Sequence, residues 1–487
     1  MKKRLLECLN TTDIYTESSL LAAKQITESR ITDKSRLNPQ NVLINRYSKK
    51  SKIEIFKGIR FLEHEDETLM ENAERKILEF LSFINSFLPE KDVPDRILSQ
   101  EDANSKYLEP IFDKILPKTC DVFIDLERLC FYGMGQFYMV HFNSCYTIDL
   151  SFLSKYEVRN EYERYGGTII FFENKTIKQI IFPSGNSCLH SDDNFLEKLE
   201  KFAIIFRCSL FTAITLKEHL VNTHWIVANN LTVESLLNLN SNNPLLLFLR
   251  PFTYGTVSIN NLSLKTLAPF DGIAGRAWGF TRLSWEELMN DVFQNYERET
   301  IIERCFKNDT YDLPLMNQGI EFYGIITKYV REFYNIFRDI HSNEEVLSFF
   351  RELQKHKLIT FLDRNSQIEC LSHLIFTVTA YHNFFGGISE YLKPVNGLHG
   401  KVPINSSAAD INTYLLDLTL CSMTSSPNPK LLNNWSFIFE GHMKEKDMNK
   451  LNLKFLSELI NLSISIKNSD ISFTFMDPDT MNCSVSI

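Results

Sequence analysis

Apolar and polar residues follow two different periods along this chain. A helical period of apolar positions near residues 66–88 predicts a first amphipathic helix. The same period predicts further long helices near residues 283–305, 317–340, 343–356, 366–385 and 449–467.

Between residues 120 and 183 the apolar runs are shorter and rich in Ile, Val and Phe, which is typical of strands. These runs are CDVFID, FYMVHF, TIIFFE and IKQIIFP. The last two belong to GGTIIFFENKTIKQIIFP and flank a polar Glu-Asn-Lys turn, so they predict a β-hairpin. The pattern as a whole predicts a mainly α fold with a small β-rich part in the N-terminal half.

The longest apolar segment begins near Phe195, after a Ser-Asp-Asp run at 191–193 whose residue types favour the N-cap of a helix. Its middle, FAIIFRCSLFTAITL, is apolar on nearly every face. A helix of this kind is buried on all sides. We therefore predict that it forms the centre of the fold and continues through His219 and His224.

The chain has 487 residues, of which 44% are hydrophobic and 23% are charged, and this fits a globular protein with a large core. No repeat and no low-complexity linker divides it. We therefore predict a single domain over 1–487, with a divergent polar segment over 1–50, a β-rich part over 120–183 and a helical core over 191–487.

The net charge and the cysteines limit the binding partners and the cellular compartment that fit this protein. A net charge of −9 without a Lys/Arg stripe argues against nucleic acid, and no uncharged apolar stretch approaches the roughly 18 residues of a membrane span. The ten cysteines form no CxxC pair, which favours free thiols in a reducing compartment, and the apolar run after the basic start is too short for a secretory signal. We expect a cytoplasmic or otherwise soluble monomer. A protein that is secreted without a cleaved signal would have the same sequence features.

Two histidines in the central segment, His219 and His224 in EHLVNTHW, are five residues apart. In a regular α-helix this spacing separates two side chains by roughly 140°. A π-turn, whose hydrogen bonds run from i to i+5, would bring them onto one face. The alternative is that one histidine lies in the core while the other faces solvent.

A third candidate lies in another apolar helical segment, HLIFTVTAYHNFFGG. His373 and His382 are nine residues apart, about half a turn out of phase, so they cannot both face one metal ion. His382 is the better candidate, and His373 is predicted to be structural or to face solvent.

The chain ends in MNCSVSI, whose apolar and polar residues alternate up to Ile487. This alternation predicts a buried chain end, and a buried α-carboxylate needs a partner such as a metal ion.

Segments spread over the last two thirds of the chain resemble the lipoxygenase family. HLVNTHW resembles the paired iron-ligand histidines of that family, and IFTVTAYH at 375–382 resembles the surroundings of its third ligand histidine. NNPLLLFLRPFTYGTVSIN at 242–260 and LMNQGIEFYGIITKYVREFYNIF at 315–337 resemble family helices, and NCSVSI resembles its terminus. These pieces occur in the family order, one of them at the C-terminus.

The resemblance implies a lipoxygenase-like helical catalytic domain around the long central helix. It implies a non-haem iron dioxygenase that inserts O2 into polyunsaturated fatty acids with a cis,cis-1,4-pentadiene unit and releases a lipid hydroperoxide. One iron ion per chain would be bound by His219, His224, His382 and the terminal carboxylate of Ile487. Imidazole nitrogens with a carboxylate suit Fe(II) with open positions.

The sequence departs from the family pattern at three places. The family usually has a further ligand, Asn, His or Ser, four residues after the third histidine, where this chain has Gly386. We predict a water in that place, with Asn383 as a ligand only if the helix is distorted. Phe270 stands where a small side chain influences oxygen addition in the family, and it is the candidate substrate-binding residue. The N-terminal β-barrel domain of the family is not expected in this chain.

Three other functions compete with this interpretation. An altered activity, such as hydroperoxide isomerisation or reaction on another apolar substrate, is suggested by Gly386 and Phe270. A non-catalytic lipid-binding or interaction protein would keep the fold and need no metal. A zinc hydrolase is disfavoured because the peptidase pattern has a Glu after its first histidine, whereas Glu218 precedes His219.

Overall fold

The computed structural model describes residues 53–62, 126–142, 144–298, 314–386, 399–404, 429–469 and 476–485. All structural statements below concern these ranges. The polar segment 1–50, the helix predicted near 66–88 and the strand-like run CDVFID lie outside the described residues.

Two antiparallel sheets form the β structure. A hairpin of β1 (Ile53–Phe56) and β2 (Ile59–Leu62) precedes the short helix α1 (Leu126–Tyr132). A five-stranded sheet follows, with its strands in sequence order: β3 (Met139–Phe142), β4 (Cys145–Asp149), β5 (Thr168–Phe172), β6 (Ile177–Ile181) and β7 (Ser187–Leu189).

The hairpin predicted from GGTIIFFENKTIKQIIFP is confirmed. β5 pairs with β6, and Ile169 lies opposite Ile180 with both side chains buried. The strand predicted from FYMVHF is shorter than expected, because Met134–Tyr138 form a 3-10 turn and β3 begins only at Met139.

A helix of 44 residues runs through the centre of the fold. It is α-helical over Phe195–Thr212 (α2), π-helical over Ala213–Ala228 and α-helical again over Asn229–Asn238 (α3). Nearly every side chain between 202 and 235 is buried, because the sequence is apolar on all faces there. The predicted long, buried central helix is confirmed.

The helix begins at Phe195 as predicted, but its capping differs from the prediction. Asn194 is the N-cap residue, and its side chain makes no capping hydrogen bond. The Asp192 carboxylate instead accepts a hydrogen bond from the Leu189 N–H at 3.0 Å. It therefore stabilises the turn that follows β7 rather than the helix end.

The other helices complete a mainly helical fold. They are α4 (Pro244–Leu249), α5 (Thr256–Leu262), α6 (Ile273–Ala277), α7 (Arg282–Gln294), α8 (Pro314–Ile336), α9 (Glu344–Lys355), α10 (Arg364–Phe376), α11 (His382–Gly386) and α12 (Glu445–Lys467). Short π segments extend α5 over Ser263–Leu267 and join α10 to α11 over Thr377–Tyr381. No helix within the described ranges has the length and apolar character that crossing a membrane would require.

Most of the predicted helices match these elements within a few residues. The exception is the helix predicted at 283–305, which ends at Gln294 with Asn295 as its C-cap. One cluster of buried apolar side chains joins the sheet, the central helix and the C-terminal segment, and includes Ile169, Trp225 and Val485. This core surrounds the segment that carries His219 and His224.

Candidate metal centre

Three histidines from two helical segments meet in the interior. The Nε2 atom of His382 lies 3.1 Å from those of His219 and His224, which are 3.2 Å from each other. All three side chains are buried. No other group of His, Cys, Asp and Glu side chains in the described part of the chain is arranged to hold a metal ion.

The π-helical geometry explains how two residues five apart converge. The backbone N–H of Asn229 donates to the carbonyl of His224, five residues earlier, and Thr223 Oγ1 donates to the carbonyl of Glu218 at 2.7 Å. In such a helix, residues i and i+5 lie on nearly the same face. The predicted π-turn between His219 and His224 is confirmed, and the alternative with one ring in solvent is wrong.

The same geometry recurs at the third histidine. His382 follows the π segment Thr377–Tyr381, and its N–H donates to the carbonyl of Thr377, five residues earlier. His373 lies outside the triad and is fully buried, and neither of its ring nitrogens has a hydrogen-bond partner in the described structure. The alternative that His373 faces solvent is therefore wrong. Burial, followed by the charge of Arg298, lowers the pKa of His373 to about 3.

Asn260 fixes the orientation of His224. Its Oδ1 lies 3.0 Å from His224 Nδ1, and its Nδ2 donates to the backbone carbonyl of His224 at 2.8 Å. Because an amide oxygen can only accept, Nδ1 of His224 carries the proton and Nε2 presents its lone pair to the other two rings. This is the tautomer that a metal ligand needs.

The residues present fit a metal ion. Burial, followed by the neighbouring rings of His224 and His382, holds the pKa of His219 well below its usual range, and neutral imidazole is the form that binds metals. Two nitrogens at about 2.1 Å from one ion lie about 3.0 Å apart at a right angle and about 3.4 Å apart at the tetrahedral angle. The observed separations of 3.1–3.2 Å fall between these two values. The three nitrogens are therefore spaced as ligands of one metal ion would be.

A buried carboxylate lies directly beside the first histidine. Glu218 Oε1 accepts a hydrogen bond from Tyr138 at 2.8 Å and pairs with Lys217 at 3.1 Å. Its Oε2 accepts hydrogen bonds from Asn222 and Tyr381, each at 2.8 Å. Burial alone would raise the pKa of this carboxyl, but the Lys217 charge and the three hydrogen bonds outweigh burial and lower it. Glu218 is therefore ionised.

This hydrogen-bond network links the helical segment of His219 and His224 to the segment of His382. Glu218 precedes His219 in the central helix, and Tyr381 precedes His382. A single carboxylate therefore connects the two backbone segments that supply the histidines.

Gly386 faces the triad. A Cβ atom at this position would lie 3.1 Å from His219 Nε2 and 3.5 Å from His382 Nε2. Its backbone is helical and not in the left-handed region. Asn383 follows His382 and is half-buried. Whether Asn383 or a water completes the ligand set stays a prediction.

The chain end approaches the same region of the core. Val485 and Cys483 are fully buried, and Ser484 Oγ donates to the carbonyl of Tyr254 at 2.7 Å, just before α5. The prediction of a buried chain end is confirmed as far as Val485. Ile487 lies outside the described residues, so its carboxylate stays a predicted ligand.

Phe270 lies in the loop before α6. Its ring is half-buried, and the guanidinium of Arg282 lies 4.6 Å from the ring centre. The backbone of Phe270 is so close to Gly275 that a Cβ at 275 would lie 2.1 Å from the Phe270 carbonyl oxygen. Glycine is therefore required at 275 to hold this loop, and the influence of Phe270 on oxygen addition stays a prediction.

Sequence reasoning did not find Asn260 and Glu218 as parts of the site. Asn260 is 36 residues from its partner His224, and Glu218 is 80 residues from Tyr138. One signal was available for Glu218, because Lys217 and Glu218 form a charged pair inside an otherwise apolar helix. A buried carboxylate needs partners, and that need predicts a polar network around it.

Several solved structures that resemble this chain are lipoxygenases. A LOX variant crystallised anaerobically in complex with arachidonate matches with a TM-score of 0.69 at 13% identity, covering 95% of this chain and 81% of that one. A calcium-dependent 11R-lipoxygenase matches with a TM-score of 0.68 at 14% identity, covering 98% and 82%. The manganese lipoxygenase of Gaeumannomyces graminis matches with a TM-score of 0.63 at 11% identity, covering 95% and 98%.

At these identities the likeness concerns the fold. No family model matches the sequence, and no curated protein matches it either. The chain has the fold of a lipoxygenase catalytic domain, with a buried His219/His224/His382 triad at a possible metal site.

Proposed function

We propose that this protein is a lipoxygenase-type dioxygenase that inserts O2 into a polyunsaturated fatty acid with a cis,cis-1,4-pentadiene unit and gives a lipid hydroperoxide. The carrying observation is the convergence of three buried imidazoles on a π-helical segment inside a lipoxygenase fold. We further propose one iron ion per chain, held by His219, His224, His382 and the carboxylate of Ile487.

When bound, the metal supplies the redox chemistry that removes a hydrogen atom from the bis-allylic methylene of the fatty acid. The chain's own residues prepare the site for it. Asn260 keeps His224 in the tautomer whose Nε2 presents a lone pair to a metal ion. Glu218 connects the two helical segments that carry the histidines, and the buried side chains of Phe384 and Phe385 help to exclude water.

The proposed ligand set favours iron, and manganese is a second candidate. A set of three imidazoles and a carboxylate with open positions is typical of non-haem iron oxygenases. One similar protein is a manganese lipoxygenase, so manganese is the second candidate metal.

The arachidonate in another similar structure supports a long polyunsaturated acid as substrate. We propose that the protein acts as a soluble monomer with fatty acid and O2 as its partners.

A second candidate function is an altered lipoxygenase-fold activity, either hydroperoxide isomerisation or reaction on another apolar substrate. The observation that favours it is Gly386, which faces the triad and brings no side-chain ligand. A missing ligand changes the number of open positions on the ion, and with it the chemistry that the ion favours.

Metal analysis of the purified protein, followed by oxygen uptake and conjugated-diene absorbance with linoleate and arachidonate, tests the proposal. We expect about one iron per chain and oxygen uptake that parallels diene formation. His382→Ala should lose both, because it removes one nitrogen of the triad. His373→Leu is the matched control, since it removes a buried histidine of the neighbouring helix and should keep both. A wild-type protein that binds neither iron nor manganese would refute the proposal, and metal binding with hydroperoxide consumption alone would favour the isomerase.

A further inference from the structure

A pocket behind the central helix has the dimensions of a binding site. Its volume is about 440 Å³, within the range of about 300–1,000 Å³ typical of small-molecule sites. Ile59 of β2, Ile226 of the π segment, Phe293 of α7 and the following Tyr296 give it an apolar wall.

This pocket is separate from the candidate metal centre. Ile226 lies two residues after His224, which is a little under half a turn in a helix whose hydrogen bonds run from i to i+5. Ile226 therefore points away from the imidazoles, and the pocket and the triad lie on opposite sides of one π segment. A molecule in the pocket would pack against the helix that holds two of the histidines without reaching them.

The rim of the pocket is positively charged. Lys57, Lys355 and Lys357 all line it. Lys355 pairs with Glu352 at 2.7 Å, and the charge of Glu286 acts on Lys57. Three ammonium groups against two carboxylates leave the rim net positive.

Cationic and apolar groups are adjacent in this pocket. The ammonium of Lys57 lies 5.6 Å from the ring centre of Phe293, and Phe293 belongs to the apolar wall. A ligand with one negative group joined to an apolar body would contact both at once. A bare anion would use only the rim, and a neutral apolar molecule would use only the wall.

Two of the three lysines occupy backbone positions that other residue types fill more easily. Lys57 (φ 49°) and Gly58 (φ 82°) form the two-residue turn of the β1–β2 hairpin, where Asn-Gly is the favoured pair. Lys357 (φ 59°) follows the end of α9, in the left-handed position of a Schellman motif that Gly or Asn usually fills.

A long side chain in the left-handed region costs stability. Local sequence choices that break such a rule are expected at functional sites. Here two such choices, far apart in sequence, bring ammonium groups to the same pocket. Lys175 has the same backbone conformation outside the pocket, so that conformation alone does not mark a site. What marks this site is that Lys57 and Lys357 lie together beside an apolar wall.

We propose that this pocket binds an organic carboxylate with a short to medium acyl chain. The carboxylate lies between Lys57 and Lys357, and the chain lies along Ile59, Ile226 and Phe293. This assignment does not rest on the proposed dioxygenase function, because it uses no residue of the triad.

Calorimetric titration of the full-length protein with sodium decanoate tests the assignment. The double variant Lys57→Asn/Lys357→Asn removes both charges and places at each position a residue that tolerates the left-handed backbone, so the fold is kept. We expect the affinity of the lysine-dependent binding event to fall at least tenfold. Lys175→Asn is the matched control, since Lys175 (φ 67°) has the same backbone conformation outside the pocket, and it should bind as the wild type does.

Two further ligands separate the contributions of charge and chain. Decyltrimethylammonium, which has the same chain and the opposite charge, should not bind at this site, and inorganic phosphate should not displace decanoate at equal concentration. Equal decanoate binding by the wild type and the double variant would overturn the proposal. Equal binding of the cationic compound, or displacement by phosphate, would overturn it as well. Titrations repeated after chelation distinguish this proposal from the metal site, because a protein without metal should bind decanoate here unchanged.

Discussion

His373 gives a prediction whose size follows from its surroundings. Its ring is fully buried on α10, and both ring nitrogens lack partners in the described structure. Burial, followed by the Arg298 charge, lowers its pKa to about 3, against an ordinary value of 6.5. Between these two pH values the unfolded chain binds a proton at this residue that the folded protein does not bind. The free energy of unfolding must therefore fall as the pH drops from about 6.5 towards 3.

The magnitude follows from the linkage between proton binding and folding. Each pH unit in this interval costs up to about 1.4 kcal/mol, so the step from pH 7 to pH 5 costs about 2 kcal/mol through His373 alone. Replacing His373 by Leu removes this proton uptake. It also removes two unpaired buried nitrogens, so stability at pH 7 should stay level or rise by about 1 kcal/mol.

Urea unfolding at pH 7, 6 and 5, followed by circular dichroism, measures the difference. A chelator is present throughout, because metal binding at the triad would add its own pH dependence. We expect the advantage of His373→Leu over the wild type to grow by about 2 kcal/mol between pH 7 and pH 5. Ile375→Leu, which alters packing in the same helix and removes no titrating group, should stay parallel to the wild type. A His373→Leu curve that also stays parallel would refute the reasoning.

Three further predictions concern the metal centre and share one readout, the iron content after dialysis against limiting Fe(II). Adding one residue after Ile487 should lower the iron content sharply, because it moves the free carboxylate away from the metal. An N-terminal tag should leave the iron content unchanged. Full iron content in the C-terminally extended protein would show that the terminus is not a ligand. Gly386→Asn brings an amide oxygen towards the triad on a backbone that is not left-handed, but its Cβ would lie 3.1 Å from His219 Nε2, so this ring must shift by a few tenths of an ångström. We expect the amide ligand to outweigh this shift, so that iron affinity is kept or raised, and Asn383→Ala should leave iron bound. The reverse outcome would make Asn383 the ligand. Glu218→Gln should cost about 1–3 kcal/mol of stability and lower iron affinity, and wild-type values for both would show that the network does not position the histidines.

The sequence carried enough information for the elements that depend on local pattern. The hairpin β5–β6 follows from alternating β-branched residues around a polar turn, and the central helix follows from an apolar run too long for a strand. The five-residue step between His219 and His224 predicts a π-turn, because no regular α-helix places both rings on one ion. These features are set by residues within a few positions of one another.

Three kinds of feature were harder to predict: a side chain with two possible local partners, a contact between distant residues and an unusual backbone angle. Asp192 looked like a helix cap, but its carboxylate bonds to the Leu189 N–H in the preceding turn, and both are reasonable uses of an Asp at that place. The hydrogen bond from Tyr381 to Glu218 spans 163 residues, so no local period could reveal it. The positive φ of Lys57 and Lys357 could not be predicted either, because glycine, and not lysine, is the residue that usually indicates a left-handed backbone.

The π geometry accompanies the possible metal site. The three π segments in the described structure all adjoin the site: Ala213–Ala228 carries His219 and His224, Ser263–Leu267 begins three residues after Asn260, and Thr377–Tyr381 ends just before His382. A π segment is rare, and it persists where function demands it. Without an ion, the Nε2 atoms of three neutral imidazoles would face one another. Each neutral ring has only one N–H, and that of His224 is on Nδ1, so hydrogen bonds cannot form between all three pairs of Nε2 atoms. An ion that accepts all three lone pairs removes this conflict, and its binding free energy then offsets the cost of the unusual helices. Metal removal should therefore lower the stability of the central helix itself, and faster amide hydrogen exchange between 213 and 228 after chelation would show this coupling.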